Sequence, residues 1–307
     1  MQRTPNRNLK GTIDLRRRRL IPAPEQPNKI FEYILSDNFE PQLNKVRVAV
    51  EKSQGHCFMT VKAMVEATEY EGYNGEIVVL GYNVSESFQT FRKRFPNDKI
   101  ICYQLEQIFN NQSWWFNSKA TSGLVYANTQ HILGWLRGCD EIWDYDLDNV
   151  EFLHSLGFKN VKFKPMHWFE GINNITHLEK DIDVLFYGGM NAKRSAFTSQ
   201  LSKYKHKVLT NNFQAWGEML NEYIGRSKII LNLHFYDSHI QEQVRIFPLV
   251  ANDCCVLSEP SRRNYFGDLI HHFEEGKMIE AIDELLEGDK WKEVSNGIGE
   301  KFRLQCV

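Results

Sequence analysis

Three short stretches of this chain carry residue types that can do chemistry together. The first is Asp183–Arg194. An apolar run, Val184-Leu185-Phe186-Tyr187, ends in Gly188-Gly189, and Met190-Asn191-Ala192-Lys193-Arg194 then opens a helix. Glycines at a strand end let the backbone approach a phosphate, and a helix N-terminus adds free N–H groups and the positive end of a dipole. Lys193 and Arg194 add charge. The pattern is neither G-x-G-x-x-G nor a Walker loop. An ordinary tight turn with two solvent-facing cations would read the same way.

The second stretch starts where polar Asn232 and His234 interrupt an apolar run. Glu242 and Arg245 follow, three apart and on one helix face. A carboxylate there can take a ribose diol. An arginine one turn on can hold a diphosphate or brace the carboxylate. The plain alternative is a surface ion pair beside a core histidine. The third stretch is Gln54-Gly55-His56, just after an apolar strand, where His56 can serve as a general base. Glu106, Asp144 and Asp146 are its rivals.

Metal-binding patterns are weak. His234 and His239 are five apart without a third ligand, and His271-His272 diverge on regular structure. Asp144-Tyr145-Asp146 is a D-x-D after a strand, the pattern that holds a divalent metal in one large class of sugar-transferring enzymes. In a chain with 39 carboxylates such pairs arise by chance. Asp181-Ile182-Asp183 precedes its strand, the wrong end for a site. No G-x-S-x-G elbow occurs. The clusters Trp114-Trp115-Phe116 and Met166-His167-Trp168-Phe169 suit either a sugar-lined cleft or hinge packing.

The elements that must position these residues alternate. Strands are expected at Val46–Val50, Ile77–Leu80, Lys99–Leu105, Ile142-Trp143 and Val161–Phe163. Helices are expected near Cys57–Tyr70, over Glu86–Phe95 with Ser85 as its cap, and near Leu147–Leu156. After a polar pause at Gly171–His177 the alternation restarts. Strands follow at Asp183–Tyr187, Val208-Leu209, Ile229–Leu233 and Cys254–Leu257. The helices between them are Ala192–Leu201, Trp216–Ile224 and Gln241–Ala251, with Ile279–Leu286 and Trp291–Phe302 at the end. Alternation of this kind means parallel sheets covered by helices on both faces. The pause divides them into two α/β domains, 28–170 and 171–285. Residues 1–27 precede them as a basic, Pro-rich arm or linker carrying Arg16–Arg19. A C-terminal helix at 286–307 is expected to pack back on the first domain. Ligands of such sheets sit at the C-terminal ends of strands.

Composition sets the outer limits. In 307 residues, charged types make up 25% and apolar types 42%, near globular averages. A net charge of -2 speaks against a generally basic nucleic-acid binder, so no nucleic-acid partner is expected. No apolar run is long enough to span a bilayer, and Met1–Lys10 lacks an apolar leader core, so no membrane span and no secretory leader are expected. The six cysteines are scattered without C-x-x-C, which predicts free, mostly buried thiols in the cytoplasm. Aromatics at 13% fit thick cores or a ring-stacking site.

The succession Asp183–Arg194, then Lys228-Ile229-Ile230-Leu231-Asn232-Leu233-His234, then Glu242, Arg245-Ile246 and Val256-Leu257-Ser258-Glu259 resembles the C-terminal domain of GT-B-type glycosyltransferases. It is similar to the compact CgeB-like group of bacteria and large viruses. The resemblance covers roughly residues 180–260, and the first domain only by architecture. It implies two Rossmann-like domains with parallel sheets facing across a cleft. It also implies a hexosyl- or pentosyltransferase of glycan biosynthesis, with no cofactor beyond a nucleotide-sugar donor of UDP or GDP type and with a glycan or other hydroxyl acceptor. Metal is not needed for the chemistry. By this resemblance Gly188, Gly189, Asn191 and Arg194 border the diphosphate and Glu242 the ribose. Asn232 and His234 lie in the same donor site, and Arg245 replaces the metal's charge. The E-x-x-x-x-x-x-E loop of better-known members is absent, because Phe235 stands seven before Glu242. Inversion with His56 as base is the favoured mechanism. The alternatives are a metal-dependent transferase using Asp144 and Asp146, a nucleotide-sugar epimerase, and a non-catalytic nucleotide- or glycan-binding module.

Overall fold

The computed structural model describes residues 47–50, 60, 61, 63–65, 76–81, 87–108, 129–211, 215 and 217–306. The arm 1–27, His56 and Trp114–Phe116 lie outside the described residues. Among the described residues, ten strands form two five-stranded sheets. The first comprises β1 (Arg47–Val50), β2 (Glu76–Leu80), β3 (Lys99–Gln104), β4 (Glu141–Asp144) and β5 (Val161–Phe163), all parallel and in sequence order. β-Branched and aromatic residues fill these strands, and β2 and β4 are buried along their whole length. A strand covered on both faces reads as a continuous apolar run, as Ile77–Leu80 does. Helix Phe88–Arg94 is capped by Ser87, whose Oγ accepts from Thr90 N at 3.2 Å, two residues later than the expected cap. Helix Thr129–Gly138 was not expected from the sequence.

The second sheet comprises β6 (Ile182–Tyr187), β7 (Val208–Asn211), β8 (Ser227–Asn232), β9 (Cys255–Ser258) and β10 (His271–His272). Its order is β10-β9-β8-β6-β7, again all parallel. Counted within the domain this is 2-1-3-4-5, the flavodoxin-like doubly wound order, which reverses direction between β6 and β8. Helices Ala192–Leu201, Glu218–Arg226, Gln243–Ala251 and Met278–Leu286 accompany it. The expected last helix is two, Lys290–Ser295 and Ile298–Gln305. Gly297 divides them at φ 71°, a conformation that costs glycine little. Helix Ile298–Gln305 lies on helix Gln243–Ala251, with Gly299 N bonded to Asp253 Oδ1 at 2.9 Å, and touches the crossing segment where Cys306 Sγ accepts from Trp168 N. Cys102, Cys139, Cys254 and Cys255 are free and buried; Cys306 is free and exposed.

The two sheets meet by their carboxyl edges. Ser238 Oγ, beyond β8, donates to Gln107 Oε1, beyond β3, at 2.9 Å. Gln243 Nε2 donates to Tyr145 O at 2.8 Å, and Leu147 N to Tyr265 Oη at 2.8 Å. Asp148 receives Arg262 and Arg263 together, at 3.0 and 3.1 Å. One apolar cluster runs through both domains, joining Leu80, Tyr103 and Trp143 to Leu185, Ile230 and Phe247. Each sheet's other face has its own core. The crossing segment is fastened by Asn252. Its side chain accepts from Ile175 N at 2.7 Å and donates to Ile172 O at 2.8 Å. Backbone contact there is close: a Cβ on Gly225 would stand 2.1 Å from Thr176 O. Gly225→Ala is therefore expected to cost about 1–3 kcal/mol. The measurement is a lowered urea midpoint with an unchanged slope.

Candidate functional site

The point where the second sheet reverses its order is the carboxyl ends of β6 and β8. Four segments converge there: Gly188-Gly189, the start of helix Ala192–Leu201, Asn232–His234, and the start of helix Gln243–Ala251. Asn191 caps the first of these helices, its Oδ1 accepting from Arg194 N at 2.8 Å. Its Nδ2 donates to Phe235 O at 2.7 Å, which ties the turn after β6 to the segment after β8.

Arg194 reinforces that tie and is only 2% exposed. Its NH1 donates to Gly189 O at 2.8 Å, and its Nε and NH2 both donate to Leu233 O. The guanidinium also lies by the rings of Phe186 and Phe235. Burial, then the charge of Arg245, push its pKa down to about 9, which leaves it charged at neutral pH. Arg194 therefore shapes the turn from inside, where the sequence offered a cation facing a diphosphate or solvent.

Glu242 is the group around which the others are placed. It precedes helix Gln243–Ala251, yet its side chain makes no cap bond and turns under the end of β8. Oε2 accepts from Asn232 Nδ2 at 3.1 Å; Oε1 accepts from Phe235 N at 3.3 Å and lies 3.8 Å from Arg194 NH2. His234 Nδ1 is 2.9 Å from Oε2, at an angle off the line of a hydrogen bond, so charge holds this contact. His234 Nε2 lies 3.0 Å from Pro260 O and donates to it. With that nitrogen protonated, a bare Nδ1 facing a carboxylate would repel it, so the ring is placed as an imidazolium. Burial works against charge on His234, but Glu242 outweighs it and holds the pKa above the ordinary histidine value. Burial likewise works against the Glu242 carboxylate, but His234, Arg245 and Arg194 bring its pKa down to about 2.

Arg245 is held beside this group. Its NH1 donates to Asn232 Oδ1 at 3.0 Å and its guanidinium lies over Tyr187. Asn232 cannot flip, because its Nδ2 also donates to Ser258 Oγ at 2.9 Å. Gly188 makes room. Its φ is 124°, and a Cβ there would stand 2.5 Å from Arg245 NH2. Glu259 closes the cluster, accepting from His234 N at 2.6 Å and pairing with Lys193 at 2.9 Å. Four cations, Lys193, Arg194, His234 and Arg245, thus meet two carboxylates, Glu242 and Glu259. The excess is positive, and the N-termini of both helices add to it. Such a place suits an anion.

The facing edge of the first domain carries acids. Asp146 Oδ1 caps helix Leu147–Ser155 through Asp148 N at 2.8 Å and Asn149 N at 3.2 Å. Asp144 is fully buried and accepts from Asp146 N, Asn149 Nδ2 and Gln104 Nε2. The D-x-D thus makes a turn and a cap, and burial raises the pKa of both carboxyls. Among the described residues no three His, Cys, Asp or Glu side chains are grouped to hold a metal ion. The other D-x-D is paired on the protein's far edge, Asp181 with Arg226 and Lys207, Asp183 with Lys228.

Of the expected site residues, Gly188, Gly189, Asn191, Arg194, Asn232, His234, Glu242 and Arg245 come together; His56 lies outside the described residues. Gln107, Ser238 and Tyr145, which join the two edges, went unseen. Their partners are about 100 or more residues away in sequence, and no local pattern marks them.

No family model and no curated protein sequence matches this chain. Solved structures do resemble it. TarM aligns at 9% identity over 82% of this chain and 54% of its own, with a TM-score of 0.46. A glycosylation-associated protein complex, Gap123, from Streptococcus agalactiae aligns at 9% over 75% and 53%, with a TM-score of 0.41. UDP-GlcNAc 2-epimerase from Neisseria meningitidis bound to UDP-GlcNAc aligns at 11% over 83% and 80%, with a TM-score of 0.40. This chain spans about half the length of TarM and Gap123.

The low pKa of Glu242 carries a stability consequence. A carboxyl depressed from 4.5 to about 2 contributes about 3 kcal/mol above pH 4.5, and this is lost as pH falls toward 2. Glu242→Gln should remove that contribution at neutral pH. Urea unfolding of the variant should also show a shallower fall in stability between pH 4.5 and 2 than the natural chain.

Proposed function

We propose that this chain is a glycosyltransferase that moves a sugar from a nucleotide-diphosphate donor of UDP or GDP type to a hydroxyl acceptor, with inversion and without a metal. The observation that carries this is Arg245. It is a cation fixed by Asn232 over Gly188, at the point where a doubly wound sheet reverses, on the edge that meets a second parallel domain. In transfer from a diphosphate, negative charge builds on the departing group as the sugar takes on oxocarbenium character. Arg245, aided by the helix N-termini at Asn191 and Glu242, is placed to take that charge without reorganising.

The remaining residues divide the work. Gly188 and Gly189 let the diphosphate come close to the backbone. Asn191 and Arg194 hold the turn that presents them. Glu242 borders the ribose and, with His234 and Asn232, keeps Arg245 oriented. The sugar then points toward the carboxyl edge of the first domain, where the acceptor arrives.

Two measurements test the proposal. A thermal-shift screen of UDP-N-acetylglucosamine, UDP-glucose and GDP-mannose should find a stabilising donor; at 100 times its Kd the gain is about 2.7 kcal/mol. No shift with any nucleotide would overturn it. Arg245→Ala should stay folded and lose about 100- to 1,000-fold in turnover, the range for removing one preorganised donor. Turnover should persist in EDTA; its loss would favour the metal-dependent alternative.

A further inference from the structure

We propose that Glu106 is the general base of the transfer, the carboxylate that takes the proton from the acceptor hydroxyl as that oxygen attacks the donor sugar. The inference rests on the glycosyltransferase reading above and assigns it a residue from the first domain.

Three observations place Glu106 there. It follows β3 directly, on the edge that meets the second domain, and its neighbour Gln107 is bonded to Ser238 beyond β8. Burial, then the Asp144 and Asp146 carboxylates and after them those of Glu106 and Glu242, raise the pKa of the buried Tyr145 phenol, so Glu106 and Glu242 both act on one group at the meeting of the domains. The backbone of Glu106 is clamped from both sides. Its N–H donates to Gln104 Oε1 at 2.8 Å, and its carbonyl accepts from Gln104 Nε2 at 2.6 Å and Asn149 Nδ2 at 3.0 Å.

The carboxyl group itself is different. Among the described residues it has no hydrogen bond or ion pair, and the residue is part-exposed. Asp144 and Asp146, the other acids of this edge, are bonded into a turn and a cap. Glu106 thus has a clamped main chain and an acid without a partner among the described residues. Burial lifts that acid to about 7, where a base works best at neutral pH. Burial is the one cause of that shift; Asp144, Asp146 and Glu242 share with Glu106 an effect on Tyr145, and none of them acts on Glu106 itself.

The step balances. The acceptor oxygen bonds to the anomeric carbon, and its proton passes to Glu106. The bond from that carbon to the diphosphate breaks, and its electron pair leaves with the nucleoside diphosphate beside Arg245. The carboxyl then returns its proton to solvent.

The test uses the full chain, the donor found by thermal shift, and p-nitrophenyl glycosides or water as acceptor. Glu106→Gln keeps shape and removes the base. Expected are a donor Kd within twofold of the natural chain and transfer lowered at least 100-fold. The rise of kcat/KM with pH near 7 should vanish, and Glu106→Asp should restore part of the rate. Transfer within fivefold of the natural chain in Glu106→Gln would overturn the proposal. So would loss of the pH limb in His56→Ala with the limb kept in Glu106→Gln. Either result leaves donor binding, and so the parent reading, intact. Absence of donor binding in the natural chain would overturn both.

Discussion

The site depends on one buried carboxylate. Glu242 has little contact with solvent, and an ionised carboxyl in that position is costly unless charges and donors surround it. Asn232, Phe235 N, His234, Arg194 and Arg245 do so. Three of them have a second duty. Arg194 joins the ends of β6 and β8, Asn232 aims Arg245, and His234 reaches Pro260. The compensation of one charge thereby sets the shape of the whole strand-end surface. It also explains why Gly188 has no side chain, since Arg245 passes where a Cβ would be.

A second constraint comes from the meeting of the two sheets. Their contacts are made by residues just beyond strand ends on both sides, and a shared apolar cluster backs them. Asp148 shows the cost this arrangement accepts. It is buried, yet it holds two arginines of the other domain. Charged pairs of this kind fix register more than they add stability. Groups on the first edge therefore stand at a set distance from Arg245 on the second, which the proposed transfer would require.

Much of this was legible in the sequence. Both alternations, the pause between them and most strands could be read because each strand is an apolar run bounded by glycine or polar residues. Helix Ala192–Leu201 was legible from the run after Gly188-Gly189, though Asn191 was not read as its cap, and the converging set Gly188, Arg194, Asn232, His234, Glu242 and Arg245 from charge set against apolar strands. What the sequence could not supply is direction. Arg194 and Glu242 read as groups facing a ligand or solvent, but both turn inward, because burial is decided by partners on other elements. Helix Thr129–Gly138 was missed because Gly134 and Gly138 weaken its pattern. The lengthwise break at Gly297 was hidden inside one amphipathic run.

Glu242 and Glu106 are the same residue type, and their surroundings drive them apart. Glu242 sits among three cations, which overcome its burial and bring it to about 2. Glu106 has burial alone, which lifts it to about 7. A carboxylate that stays ionised can hold an arginine in place through a reaction, but it is too weak a base to take a proton from a hydroxyl. A carboxylate near neutrality can take that proton and release it again. Separation of this kind between two acids is how one site assigns a fixed charge and a proton carrier. In the transfer proposed above, the separation follows the domain boundary, with Glu242 as the fixed charge beside the departing diphosphate and Glu106 as the proton carrier where the acceptor enters.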